Sequence, residues 1–226
     1  MFGAAVRADI HDPWIRWDWL GRNQVQVIVY FLAHVELTAI ALAAGLAIAI
    51  PVGLLSWRTR ALRGPVLGIA GTLYTIPSLA LFSLLVPLTH LTVLTAEIGL
   101  VSYTLLILIR NIVVGLDGVP DEVREAADGM GYRPLARLIR IDLPLALPVI
   151  LAGVRLATIT TIGLVTVTAV LSQDSLGQLI LRGYRQDFKT PLVVGIGLSV
   201  ALAFSADLAL SAVQRLLTPW TRAVQA

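Results

Sequence analysis

The sequence predicts an all-α, polytopic membrane fold of about five spanning helices, and three observations carry that reading. Of 226 residues, 57% are hydrophobic and only 14% charged, with a mean hydropathy of +0.84; soluble domains carry about 25% charged residues. The apolar residues gather into five runs, each near or above the ~20 residues a helix needs to cross the hydrocarbon. The polar residues collect between those runs, above all in one long loop at 117–144. Cysteine is absent, which removes disulfides, thiolate metal sites and cysteine nucleophiles.

The N-terminal stretch "MFGAAVRADIHDPWIRWDWLGR" has no continuous apolar core and carries Asp9, Asp12 and Asp18, so it does not read as a signal peptide. Residues 1–12 read as a disordered tail and 14–29 as a segment lying along the outer membrane surface, giving an extracytoplasmic unit at 1–29. The expected spans are 30–55, 65–88, 92–116, 145–171 and 191–217, which place a permeation domain at 30–218 and a cytoplasmic tail at 219–226. Two spans carry small residues at four-residue spacing: Ala41, Gly45, Ala49 and Gly53 in the first, Gly197, Ala201, Ser205 and Ala209 in the fifth. Such rows let helix backbones approach closely in a medium where no hydrophobic effect drives association.

With five spans, the 56–64 loop, the 117–144 loop and the C-terminal tail share one side and hold 9 basic residues, against 6 on the other side. The bias places that side in the cytoplasm and the N-terminus outside, in a cell membrane. Trp14, Trp17, Trp19, Trp57 and Trp220 all fall outside or at the edges of the spans, as an interfacial belt requires.

The loop at 117–144 has its own pattern. Pro120, Asp121 and Glu122 suit the start of a helix, and Gly129 and Gly131 its end. Val123, Ala126, Ala127 and Met130 share one face, and Asp121, Glu125 and Asp128 another. Pro134 opens a second short helix, with Tyr132, Leu135, Leu138 and Ile139 on one side and Arg133, Arg137 and Arg140 on the other; Pro144 is expected to close it. Helices this short are unstable alone in water. Either they cover each other and the end of the bundle, with acidic and basic stripes paired, or a second protein docks on them.

Within this loop, "EAADGMGYRPLARLIRIDLP" resembles the EAA loop of ABC importer permeases: Glu125-Ala126-Ala127, then Gly131, then Ile141, then Leu143-Pro144, with every interval matching. The resemblance implies the transmembrane domain of a type I ABC importer. Its loop would be the coupling element seated in a cleft of a cytoplasmic ABC ATPase dimer, with Glu125, Ala126, Ala127 and Gly131 at the contact. Tyr132, Arg133, Leu135, Arg137, Ile141, Leu143 and Pro144 complete the same element. It also implies a second permease subunit, identical or paralogous, and an extracytoplasmic substrate-binding protein. A narrower similarity, in "TIPSLALF", "YTLLILIRNIVVGL", "LPLALPVILAGVRLAT" and "SLGQLILRGY", is to permeases of the osmoprotectant importers, which move glycine betaine, choline, carnitine or proline betaine. This chain departs from them at "LSQDSLG" (171–177), where a Gly-Ala-Gly-Gly-Leu-Gly run is usual, and at Leu106-Ile107, where Leu-Pro is usual.

A charge near the bilayer centre is costly. Arg155 and Asp207 each lie about 15 Å from the cytoplasmic span ends at helical rise, so they are expected to pair or to share a polar cavity. Arg110 lies near an inner span end, where it snorkels or bonds the neighbouring loop. His34, Glu36 and Glu97 lie near outer span ends and read as interfacial. The middle spans offer Tyr74, Phe82 and Tyr103 but no tryptophan, so an aromatic cage for a quaternary ammonium is not expected here. A gated path lined by Tyr74, Thr75, Ser78, Tyr103 and Asn111 is the expectation, with ordinary helix packing as the alternative for each.

No GxxxxGK[ST], HExxH or Ser/His constellation occurs, so no catalytic or metal residue is expected, and ATP and Mg would sit on the partner ATPase. The reading is a non-catalytic permease subunit for osmoprotectants. The alternatives are an ABC permease for another small polar solute such as an amino acid, or an ion-coupled carrier.

Overall fold

The computed structural model describes residues 14–222. The expected tail at 1–12 lies outside the described residues. Ten α-helices follow in chain order: α1 (Trp17–Arg22), α2 (Gln24–Arg58), α3 (Arg60–Thr75), α4 (Ser78–Thr89), α5 (Val93–Asp117), α6 (Asp121–Gly129), α7 (Pro134–Arg137), α8 (Leu143–Val167), α9 (Leu176–Arg185) and α10 (Lys189–Leu217). Among the described residues, α2, α5, α10 and the continuous helical segment Pro134–Leu171 are each long and apolar enough to cross a membrane; α3 and α4 together make a bent fifth candidate.

α5 is the centre of the bundle. It packs along α2 on one side and α8 on another, while α10 lies against α8 and α9. The main core gathers Ile107, Leu108, Ile112, Val113 and Leu116 of α5 with Ala49 of α2 and Ala146 and Ala157 of α8. The α2–α5 contact is close because of the first small-residue row: Ala41, Gly45, Ala49 and Gly53 are all buried. A Cβ on Gly45 would stand 2.2 Å from the Thr104 hydroxyl oxygen, so any side chain there would force the helices or Thr104 to shift. The second row behaves differently. Gly197, Ala201, Ser205 and Ala209 are exposed, and α10 packs within the chain through Thr190, Pro191 and Gly195 instead.

Four expected boundaries change. α2 starts at Gln24, inside the segment expected to lie along the surface, and its 35 residues extend about 52 Å, well beyond the ~30 Å hydrocarbon thickness. The expected span 65–88 is two helices meeting at 97°. The cause is Ile76-Pro77: a residue before proline is pushed out of the α region, proline donates no backbone hydrogen bond, and both residues adopt extended ψ (126° and 135°). Third, Pro144 does not close the second short helix of the loop. A π turn at Leu138–Asp142 joins α7 to α8, its wider ring closed by the Leu143 N–H on the Leu138 carbonyl. That widening accommodates a proline whose ring would otherwise press on the carbonyl four residues back. Last, α9 lies in a stretch expected only as an outer loop, with Leu176, Leu179 and Gly183 buried beneath α10 and α8.

Candidate functional site: the coupling loop

The loop from Gly118 to Asp142 is built as a bent lever. α6 ends in a Schellman turn: Tyr132 N–H bonds the Ala127 carbonyl at 3.1 Å and Gly131 N–H the Asp128 carbonyl at 2.9 Å. Gly131 takes φ +81°, the left-handed conformation that such an ending requires. The chain then reverses into α7, with Pro134 at its first turn.

Asp142 fixes the lever to the bundle. It is fully buried at the root of α8. Arg124 Nε of α6 lies 3.5 Å from one carboxylate oxygen, and Arg137 Nε of α7 lies 3.4 Å from the other. One carboxylate therefore holds both short helices against the spanning helix that follows. Each arginine has a second anchor. Arg124 reaches Asp121 at 3.1 Å, donates to the Leu116 carbonyl at the end of α5, and stacks over Trp57 at 5.6 Å. Arg137 pairs with Asp128. Among the described residues the acidic and basic stripes thus meet at one pair, Arg137 with Asp128, rather than along their whole length.

The outward side of the lever is formed by Glu125, Ala126, Gly131, Arg133 and Leu135, all exposed. Met130, Leu135 and Ile139 show 69%, 67% and 56% of their surface, so the apolar faces expected of the two short helices are only partly covered by this chain. Ala127 faces inward and is fully buried; its small side chain serves packing and not a surface contact. Tyr132, Arg137, Ile141, Leu143 and Pro144 are half-buried between the lever and α8.

The residues considered for a path divide into two places. Tyr74, Thr75, Ser78 and Tyr103 cluster at the break between α3 and α4: the two tyrosine rings meet edge to face at 5.8 Å, and the Tyr103 hydroxyl donates to the carbonyl of Ile76, which the extended Ile76-Pro77 pair leaves outside both helices. Thr75 donates to the Thr72 carbonyl at 2.8 Å. Asn111 is elsewhere, bonded to the Ile107 carbonyl at 2.7 Å and pressed against Gly153 of α8. It belongs to helix packing.

Arg155 and Asp207 are brought together across α8 and α10, with Nη2 and Nε of Arg155 at 2.7 and 2.9 Å from Asp207 Oδ1. Gln214 accepts from Arg155 at 3.3 Å and donates to the Pro148 carbonyl at 3.1 Å, closing a polar bridge between the helices. His34 is not interfacial: it is fully buried, with Nε2 3.1 Å from the Ile162 carbonyl of α8. Glu97 is likewise buried, while Glu36 is exposed. Arg110 is exposed, without an ion pair or hydrogen bond among the described residues. Sequence reasoning missed Asp142, because one acidic residue between Ile141 and Leu143 carries no periodic signal.

Comparison with known proteins gives the same architecture a lineage. "Osmoprotectant import permease protein OsmW" of Salmonella typhimurium is 38% identical over 191 residues, 82% of this chain and 89% of that protein. "Choline transport system permease protein OpuBB" of Bacillus subtilis is 31% identical over 201 residues, 88% and 92% of the two chains. In fold, the chain superposes on the inward-facing MetNI methionine ABC transporter with a TM-score of 0.77 at 22% identity, covering 87% of this chain and 98% of that one. The model of the family described as "binding-protein-dependent transport system inner membrane component" matches residues 41–220. The chain belongs to this family, and is a multi-pass permease component of a binding-protein-dependent transporter.

Proposed function

We propose that this permease admits osmoprotectants such as glycine betaine, choline or carnitine, driven by ATP hydrolysis on a partner. The activities of its relatives support the solute class: osmoprotectant import and choline transport, and in Listeria monocytogenes carnitine transport. The coupling reading rests on one observation, the exposed apolar set Met130, Leu135 and Ile139 on a lever tied to the bundle through Asp142. Exposed apolar side chains on a charged loop call for a protein partner.

That partner is a cytoplasmic ABC ATPase dimer, which holds the ATP and Mg; Glu125, Ala126, Gly131, Arg133 and Leu135 form the contact. A second permease subunit completes the path, and the exposed row Gly197, Ala201, Ser205 and Ala209 of α10 suits close approach of another helix. An extracytoplasmic binding protein delivers solute, so selectivity resides mostly outside this chain. The break at Ile76-Pro77, with Tyr74, Thr75, Ser78 and Tyr103, lies on the path. The proposed topology puts the N-terminal segment outside, the coupling loop and the tail from 219 in the cytoplasm, and the permeation domain between them. Pairing of Asp207 with Arg155 argues against Asp207 as the carboxylate of an ion-coupled carrier.

The test is uptake in proteoliposomes holding this chain, its ATPase and its binding protein. Uptake of labelled glycine betaine, choline or carnitine that requires ATP and survives an ionophore supports the reading. Uptake of amino acids alone would overturn the solute class. Uptake that collapses with the ionophore at constant ATP would overturn the energy source.

A further inference from the structure

A hollow of about 510 Å³ opens where α2 ends and α3 begins, walled by Leu54, Leu55 and Trp57 and by Arg58, Arg60 and Arg63. Arg124, Leu135 and Arg137 of the coupling loop close its far side, so the hollow borders the proposed ATPase contact at Leu135. These five guanidinium groups are not equivalent. Arg124 and Arg137 are neutralised by Asp121, Asp128 and Asp142, and Arg63 by a two-pronged bond to Asp117 at 2.8 and 2.9 Å. Arg58 and Arg60 are exposed and have neither an ion pair nor a hydrogen bond among the described residues. Arg63 Nε is buried and lacks a hydrogen-bond acceptor. The charge left uncompensated in this hollow is therefore positive, and an orphan donor accompanies it.

Two further features select the ligand. α3 begins at Arg60 with no side chain capping its first turn, so the positive end of a 16-residue helix lies at the same rim and favours an anion. The opposite wall is apolar: Leu54 and Leu55 belong to the last turns of a spanning helix, and Trp57 is the type of ring that settles at the headgroup level. A site cationic on its polar side and leucine-walled along the end of a spanning helix matches an amphiphile with a phosphate head.

We propose that this hollow binds the phosphate headgroup of an anionic phospholipid from the leaflet on the coupling-loop side. Arg58 and Arg60 take the phosphate oxygens, and the acyl chains run along Leu54 and Leu55. The lipid would then rest against Arg124 and Arg137, the two residues that hold the coupling lever.

The test is native mass spectrometry of the full chain purified in detergent, with phosphatidylglycerol or phosphatidylcholine added. The wild type should retain one phosphatidylglycerol in preference to phosphatidylcholine, and 1 mM inorganic phosphate should not remove it. R58Q/R60Q should lose the preference by about thirtyfold, two contacts each worth roughly fivefold. R58K/R60K should keep most of it, which shows that charge and not folding is being read, and R185Q on the other side should bind as the wild type does. Equal retention by R58Q/R60Q and wild type would overturn the proposal, as would equal retention of the two lipids. Removal of the lipid by inorganic phosphate would also overturn it, assigning the hollow to a soluble anion.

Discussion

Arg155 of α8 and Asp207 of α10 are bonded at 2.7 Å in the middle reaches of two spanning helices, each about 30% exposed in the isolated chain. Neither charge can be left alone cheaply in lipid, where translocon scales put an arginine or aspartate at a helix centre at ~3 kcal/mol. The pair therefore ties α10 to the bundle at a depth where α10 has few other buried contacts; its buried residues lie at its start, Thr190, Pro191 and Gly195.

Double-mutant analysis follows directly. R155A and D207A should each lower stability by about 2 kcal/mol, because each leaves its partner unpaired. The double variant should cost at least ~1 kcal/mol less than the two added together, the mark of a direct interaction. Thermal unfolding in detergent measures this. Strict additivity would mean that the two charges do not support each other.

Asp142 invites a different substitution. D142N keeps size but removes the charge that Arg124 and Arg137 share and turns one of its two acceptors into a donor. Both arginines retain a second acid, Asp121 and Asp128, so the fold should survive with a loss of ~1–2 kcal/mol, below the full cost of breaking a buried pair. In a chain of 226 residues that shifts melting by about 2–4 °C per kcal/mol. Coupling should suffer more than stability. Solute-stimulated ATP hydrolysis should fall about fivefold, the low end of ordinary coupling energies, while ATPase binding persists. Unchanged stimulation would remove Asp142 from the transmission path.

Gly129 and Gly131 make an internal control for the lever. A Cβ on either would meet nothing within 4 Å, so only backbone conformation separates them. Gly131 has φ +81°, and G131A should cost ~1–2 kcal/mol. Gly129 is the last residue of α6 in helical conformation, and G129A should be neutral or stabilising by ~0.5 kcal/mol. Equilibrium unfolding of the two variants side by side checks the opposite signs.

What the sequence made legible follows the physics of each signal. Apolar runs of bilayer length mark spans, and glycine and proline mark the lever, because those residues have few alternatives. Ala41, Gly45, Ala49 and Gly53 gave a readable contact row for the same reason. The identical spacing at Gly197, Ala201, Ser205 and Ala209 did not, since a row of small residues does not say whether its neighbour is in the same chain. The break at Ile76-Pro77 was hidden inside an uninterrupted apolar run. The continuity of α7 into α8 was hidden by Pro144, which normally ends a helix, and a π turn leaves no trace in periodicity. His34 was misread because depth along a span carries no information about which way a side chain points. Arg155 and Asp207 could be matched by depth alone, since two opposite charges in lipid have few places to go.

Tyr103 gives the last prediction. Its hydroxyl donates to the Ile76 carbonyl, which the extended Ile76-Pro77 pair leaves outside both helices. Y103F should leave that carbonyl unsatisfied at a cost of ~1–2 kcal/mol. Y74F should cost little, since the edge-to-face contact of the two rings at 5.8 Å is kept. The consequence for motion is the sharper test. The bond from α5 fixes the junction of α3 and α4, so losing it should broaden their angle around 97°. The chain has no cysteine, so I69C and L84C, both at exposed positions, accept a pair of spin labels without background. Electron-spin distance measurements should show a wider distribution in Y103F than in Y74F. Equal widths would mean that Pro77 alone sets the bend and that Tyr103 plays no part in it.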